Sequence, residues 1–131
     1  MLNMDNEGAV RTWLYECSKK VKELIENGRF EECRNIIIPL FSQYPDCAQP
    51  QNLYGLLLEA ERKHVEAMKH FRAACALDPG YLPARVNMDY FGTYDSRGRM
   101  AFNEDDCPLP QESARMDSCY LTGVCLPVGS R

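Results

Sequence analysis

The chain has 131 residues, 45% of them hydrophobic, which fits one domain around one modest core. A formal net charge of −4 argues against a nucleic-acid binder, which presents a basic face to phosphates; Lys19, Lys20 and Lys22 are surrounded by Glu16, Glu23 and Glu26 and read as a solvated helix face. No stretch approaches the roughly 18 apolar residues of a membrane span, and the polar run Met1 to Gly8 has no secretory pattern, so a cytoplasmic protein with reduced thiols is expected.

Apolar residues recur at helical spacing up to about residue 90, and Gly, Pro, Asp, Ser and Arg break the pattern beyond it. This divides the chain into a helical domain, 1–90, and a C-terminal extension, 91–131. The first helix is expected to start at Asp5 or Asn6, both good caps, and to run to Glu26. Val10, Leu14, Cys17, Val21 and Leu24 form its apolar stripe, widened by Trp13 and Ile25. Asn27-Gly28 stops it, since both tolerate the left-handed conformation. The second helix covers Phe30 to Gln43 and buries Phe30, Cys33, Ile37, Leu40 and Phe41. The β-branched run Ile36 to Ile38 favours a strand on propensity alone, but the flanks keep the helical period. Pro39 conflicts with a helix interior and is expected to bend it.

The third helix spans Pro50 to Glu61, with Pro50 in the first turn where a missing N–H costs nothing. The fourth spans Lys63 to Leu77, with Val65, Met68, Phe71, Ala74 and Cys75 facing inward. Asp78-Pro79-Gly80 ends it. A shorter fifth helix begins at Leu82 or Pro83 and runs to Tyr90.

One fixed internal spacing relates Pro45 to Pro79, Cys33 to Ala67, Ile37 to Phe71, Leu40 to Ala74 and Val21 to Gly55. On these residues the chain resembles the tetratricopeptide repeat family, whose period is the same. The second unit, Ala48 to Tyr81, carries the closer match through Gly55, Ala67, Phe71, Ala74 and Pro79; the first, Leu14 to Cys47, departs from it at Lys20 and Cys33. The resemblance implies an all-α fold, a short right-handed superhelix of antiparallel helical hairpins with an irregular or hairpin-like tail. Each hairpin has an apolar side that only its neighbour can bury. Roughly three repeats are expected for independent stability, so two units and a fifth helix need a further cover. The C-terminal extension is favoured for that role over a homodimer.

The resemblance also implies that the first helix of each hairpin lines a concave surface. The residues placed there are Ser18, Lys19 and Lys22, then Gln49, Asn52, Leu53, Leu56 and Glu59, then Pro83, Val86, Asn87 and Tyr90. Amides, an apolar strip and charges of both signs suit a short peptide; coverage of the same residues by the tail is the competing expectation. Some family members grip acidic chaperone C-termini with two lysines, two asparagines and an arginine. The corresponding positions, Ser18, Lys22, Leu53, Pro83 and Asn87, do not carry that clamp, so chaperone binding is not expected.

Motifs for catalysis are lacking: there is no nucleophile elbow, phosphate-cradling glycine loop or dinucleotide fingerprint. His64 and His70, six apart, fall on different helix faces and read as surface residues. Seven cysteines include no C-x-x-C pair, so no metal or cofactor is expected; Cys17, Cys33 and Cys75 read as small buried hydrophobes and Cys47 as exposed and oxidisable. The acidic pairs Glu31-Glu32 and Asp105-Asp106 read as solvated surface.

The extension opens with an aromatic-flanked Asp-Ser-Arg-Gly turn, Phe91 to Phe102, which reads as a short hairpin with Tyr94, Met100 and Phe102 docked on the helices. Disorder is expected after Asn103. Together these features describe a non-catalytic adaptor or scaffold that binds a protein or peptide partner. The alternatives are an accessory subunit of a larger complex and a metal- or redox-responsive element built on Cys107, Cys119 and Cys125.

Overall fold

Five α-helices follow one another in the computed structural model, which describes residues 6–92 and 100–107: α1 (Asn6–Glu26), α2 (Phe30–Gln43), α3 (Ala48–Ala60), α4 (His64–Leu77) and α5 (Leu82–Gly92). A single 3-10 turn, Glu104–Asp106, completes the secondary structure, and there is no strand among the described residues. The expected spans hold to within two residues at each end. Phe91 and Gly92, expected in a hairpin, form the last turn of α5. Tyr94 and the turn that hairpin needed lie outside the described residues, as do Asp5, Cys119 and Cys125.

The internal period is written into the backbone. Phe30–Gln43 and His64–Leu77 stand one period apart at both ends, and α5 starts one period after α3. Their turns repeat the same bonds. After α1, Gly28 adopts φ +75°, its N–H reaches the Ile25 carbonyl and the Arg29 N–H reaches that of Leu24. After α3, Arg62 adopts φ 69°, its N–H reaches Glu59 and the Lys63 N–H reaches Leu58. This is one helix-ending motif used twice, the second time with a residue that has a Cβ. The loops after α2 and α4 match as well: Tyr44 N–H to Leu40 and Cys47 N–H to Tyr44 recur as Asp78 N–H to Ala74 and Tyr81 N–H to Asp78.

Consecutive helices pack on each other, and α3 also touches α1 and α5. The main core takes Val21 and Leu24 from α1, Cys33 and Ile37 from α2, Leu53, Leu56 and Leu57 from α3, and Ala67 and Phe71 from α4. The paired positions Val21 and Gly55, Cys33 and Ala67, and Ile37 and Phe71 are all fully buried or nearly so. At Gly55 α3 lies tight against α4: a Cβ there would stand 2.6 Å from the Phe71 ring. Arg34 of α2 forms an ion pair with Glu61 at the end of α3, joining the two hairpins at their edge.

The burial of several side chains differs from expectation. Trp13 is 51% exposed, because the buried stripe of α1 is the narrow one from Leu14 to Leu24. Val65 is also exposed: Ala67, Phe71 and Ala74 set the buried face of α4, and two residues back turns a side chain about 200° away from Ala67. Cys75 is only half-buried, and so are Phe30 and Phe41, which pack at the edge of the core. Pro39 is carried inside α2, which continues to Gln43. The carbonyl it orphans is that of Asn35, an exposed residue on the helix side open to solvent.

Candidate functional site

The three first helices of the successive pairs, α1, α3 and α5, present polar side chains along one side of the molecule, and residues 100–107 lie across them. On α1, Tyr15, Ser18 and Lys22 stand one and two turns apart and share a face. Ser18 donates to the Tyr15 carbonyl at 2.6 Å and accepts from Asn103 Nδ2 at 2.9 Å. Asn52 on α3 and Asn87 on α5 are fully buried.

These two amides close on one residue of the crossing segment. Asn87 Oδ1 accepts from the Ala101 N–H at 2.8 Å, and its Nδ2 donates to the Ala101 carbonyl at 2.9 Å. Asn52 Nδ2 donates to the same carbonyl at 3.0 Å, while its Oδ1 accepts the second Asn87 proton at 2.7 Å. Only this orientation of the Asn87 amide satisfies every partner. Buried amides without such partners would be strongly unfavourable, so the helices and the segment depend on each other.

Phe102 follows, 3% exposed, and belongs to the same core cluster as Leu56 and Phe71. The acidic end is then fixed by α1. Asn103 Oδ1 accepts from the Asp105 N–H at 2.9 Å and starts the 3-10 turn. Asp106 accepts from the Phe102 N–H at 3.0 Å with one oxygen and from Lys22 Nζ at 2.9 Å with the other. Lys22 also lies 5.9 Å from the centre of the Phe102 ring. The Tyr15 hydroxyl donates to Asp105. Asp106 holds the Lys22 ammonium protonated above its ordinary value, and Asp105 raises Tyr15 by accepting its proton.

Of the residues placed on this surface from sequence, Ser18, Lys22, Asn52 and Asn87 bond to the segment, and Leu56 lies in the core cluster with Phe102. Gln49 lines a cleft of about 360 Å³ beside it, with Tyr15, Tyr81 and Asn103. Lys19 and Glu59 turn to other partners: Lys19 pairs with Glu16 at 3.8 Å, and Glu59 meets His64 Nδ1 at 2.6 Å. Leu53, Pro83 and Val86 are buried, and Tyr90 is half-buried. Tyr15, Asn103, Asp105 and Asp106 were missed. The acidic pair is therefore not a merely solvated surface, and the chain after Asn103 is ordered through Cys107. The signal was present in the alignment of Tyr15, Ser18 and Lys22 on one helix face.

The other reactive groups are muted. His70 is half-buried between Tyr54 and Phe41, bonded to Gln51 at 2.7 Å, and burial lowers its pKa, so it is not the surface histidine expected. Burial raises the Cys33 thiol to about 11 and the Cys107 thiol to about 12, away from the thiolate that nucleophiles and metal ligands require. Cys47, expected exposed, is half-buried and likewise raised. Among the described residues no three His, Cys, Asp or Glu side chains are grouped to hold a metal, and no helix is long and apolar enough to cross a membrane. Comparison with protein-family models, with curated proteins and with solved structures gave no match.

Proposed function

We propose that the chain is a non-catalytic interaction module of the tetratricopeptide type, two helical hairpins and a fifth helix, whose concave groove holds a peptide or a protein surface. The single observation that supports this most is the pair Asn52 and Asn87, which between them take both main-chain groups of Ala101. Side chains that grip backbone provide affinity for any chain of suitable path, and neighbouring pockets then choose among sequences. The Phe102 site and the Tyr15–Lys22 pair are such pockets. The recurrence of helices and turns at one fixed spacing supports the repeat assignment independently.

The test uses a blocked synthetic peptide with the sequence of residues 100–107 and serine in place of Cys107. It is titrated into the full chain carrying Phe102→Ala and Asp106→Ala, which weakens the resident segment and leaves the groove intact. Saturable binding that is lost on adding Asn87→Ala is the expected result. No binding to either protein would refute the groove as a peptide site.

A further inference from the structure

We propose that the segment 100–107 is a built-in competitor, and that the partner it excludes is an internal stretch of another protein with the same chemistry: a small residue, an aromatic and, three and four positions after the aromatic, two adjacent carboxylates. This rests on the peptide-groove reading above and adds to it the kind of ligand and its control.

Among the described residues, the hydrogen bonds from the helices to the segment come from the side chains of Tyr15, Ser18, Lys22, Asn52 and Asn87, and such contacts can be made to a strand of another chain. Asn87 takes the backbone N–H and carbonyl of Ala101, which any residue other than proline could supply. The specificity comes from what surrounds it. Ala101 is fully buried beneath two amides, which demands a small side chain there. Phe102 fills an apolar site. Asp105 and Asp106 meet a phenol hydroxyl and an ammonium, a pair that selects carboxylates. Those carboxylates are side chains, and the sequence runs on past Cys107. The recognised stretch is thus internal to its chain and needs no free C-terminus.

The contact is also graded along its length. Ala101 and Phe102 are sealed, whereas Asp105 is exposed and Lys22 keeps 39% of its side chain open to water. A second cleft of about 470 Å³ opens beside Lys22, Ile25, Met100 and Phe102. An incoming acidic strand can therefore engage the wet end before the anchor leaves. A ligand tethered through a short linker acts at a local concentration on the order of mM. A free competitor of equal intrinsic affinity sees only the fraction of molecules whose groove is empty, and its apparent affinity falls by that fraction.

The peptide of residues 100–107 is titrated into the intact chain and into the Phe102→Ala, Asp106→Ala chain, with circular dichroism recorded on both. Binding at least tenfold tighter to the released chain is expected, with further loss when the peptide carries Asn for both Asp. If the double variant unfolds, Asp106→Lys alone, which leaves the apolar anchor in place, is expected to tighten binding severalfold. Equal affinity for intact and released chains would overturn the competitor while leaving the groove standing; absence of binding to both would remove the groove reading itself. An intact chain that sediments as a dimer and becomes monomeric on Asn87→Ala would assign the segment to a second copy and overturn the intramolecular contact.

Discussion

Phe71→Ala is expected to lower the unfolding free energy by about 4 kcal/mol, the range for deleting a fully buried aromatic ring. Phe71 has no exposed surface. Its ring sits over Gly55 on α3 and stacks on Phe91 of α5, with centroids 5.9 Å apart and planes 11° apart. Truncation opens a hole at the junction of three helices. The site collapses poorly, because Gly55 has no side chain to move into the space. Domains of this size are stable by roughly 5–15 kcal/mol, so the loss removes a large share of the total. Urea unfolding followed by helical circular dichroism checks this, with Trp13→Ala as the contrast. Trp13 is large but half exposed, and its removal is expected to cost well under about 1 kcal/mol. Comparable losses at both positions would contradict the packing described.

Asn87→Ala is expected to cost about 3 kcal/mol through a different mechanism, the stranding of buried polar groups. The change strips the Ala101 N–H of its acceptor, the Ala101 carbonyl of one donor, and Asn52 Oδ1 of its donor. A buried polar group left unpaired costs about 1–3 kcal/mol, so three would sum to about 3–9 kcal/mol if the segment stayed in place. The segment has an alternative, which is to leave and let water take its polar groups. The loss is therefore capped at the free energy of docking 100–107, and the five helices remain folded. The expected signature combines two measurements on the variant: a lower urea midpoint, and a smaller dependence of stability on denaturant, because less surface is buried in the folded state. A variant as stable as the parent would show that the amide pair does not hold the segment.

The helices were legible because their apolar residues keep a helical period and their ends carry Asn27-Gly28 and Asp78-Pro79-Gly80. The recurring turns show where such reading stops. Gly28 announces a left-handed residue, whereas Arg62 occupies the same conformation with nothing in its side chain to signal it. In the groove, Ser18 and Asn52 fall one repeat period apart, so the frame finds both, while Asn87 stands one place beyond Val86, the position the frame pairs with Asn52. The occupant was much less legible. Residues 100–107 have no period, and their bonds to Tyr15, Ser18 and Lys22 span 84 to 90 positions. Met100 and Phe102 were expected to dock on apolarity alone, and both join the core cluster. The acidic pair beside them looks like solvated surface until Lys22 is brought within reach by the fold. Trp13 and Val65 went the other way: apolar character predicted burial, and both side chains are exposed among the described residues.

Asn52 and Asn87 hold the chain's own segment across the first helices. Hydrogen exchange at the Ala101 amide, read by NMR on the intact chain, tests this contact most directly. That N–H donates to a buried side-chain amide, so it is expected to exchange orders of magnitude more slowly than an open peptide and to lose this protection in Asn87→Ala. Exchange at the open-peptide rate in the intact chain would contradict the account.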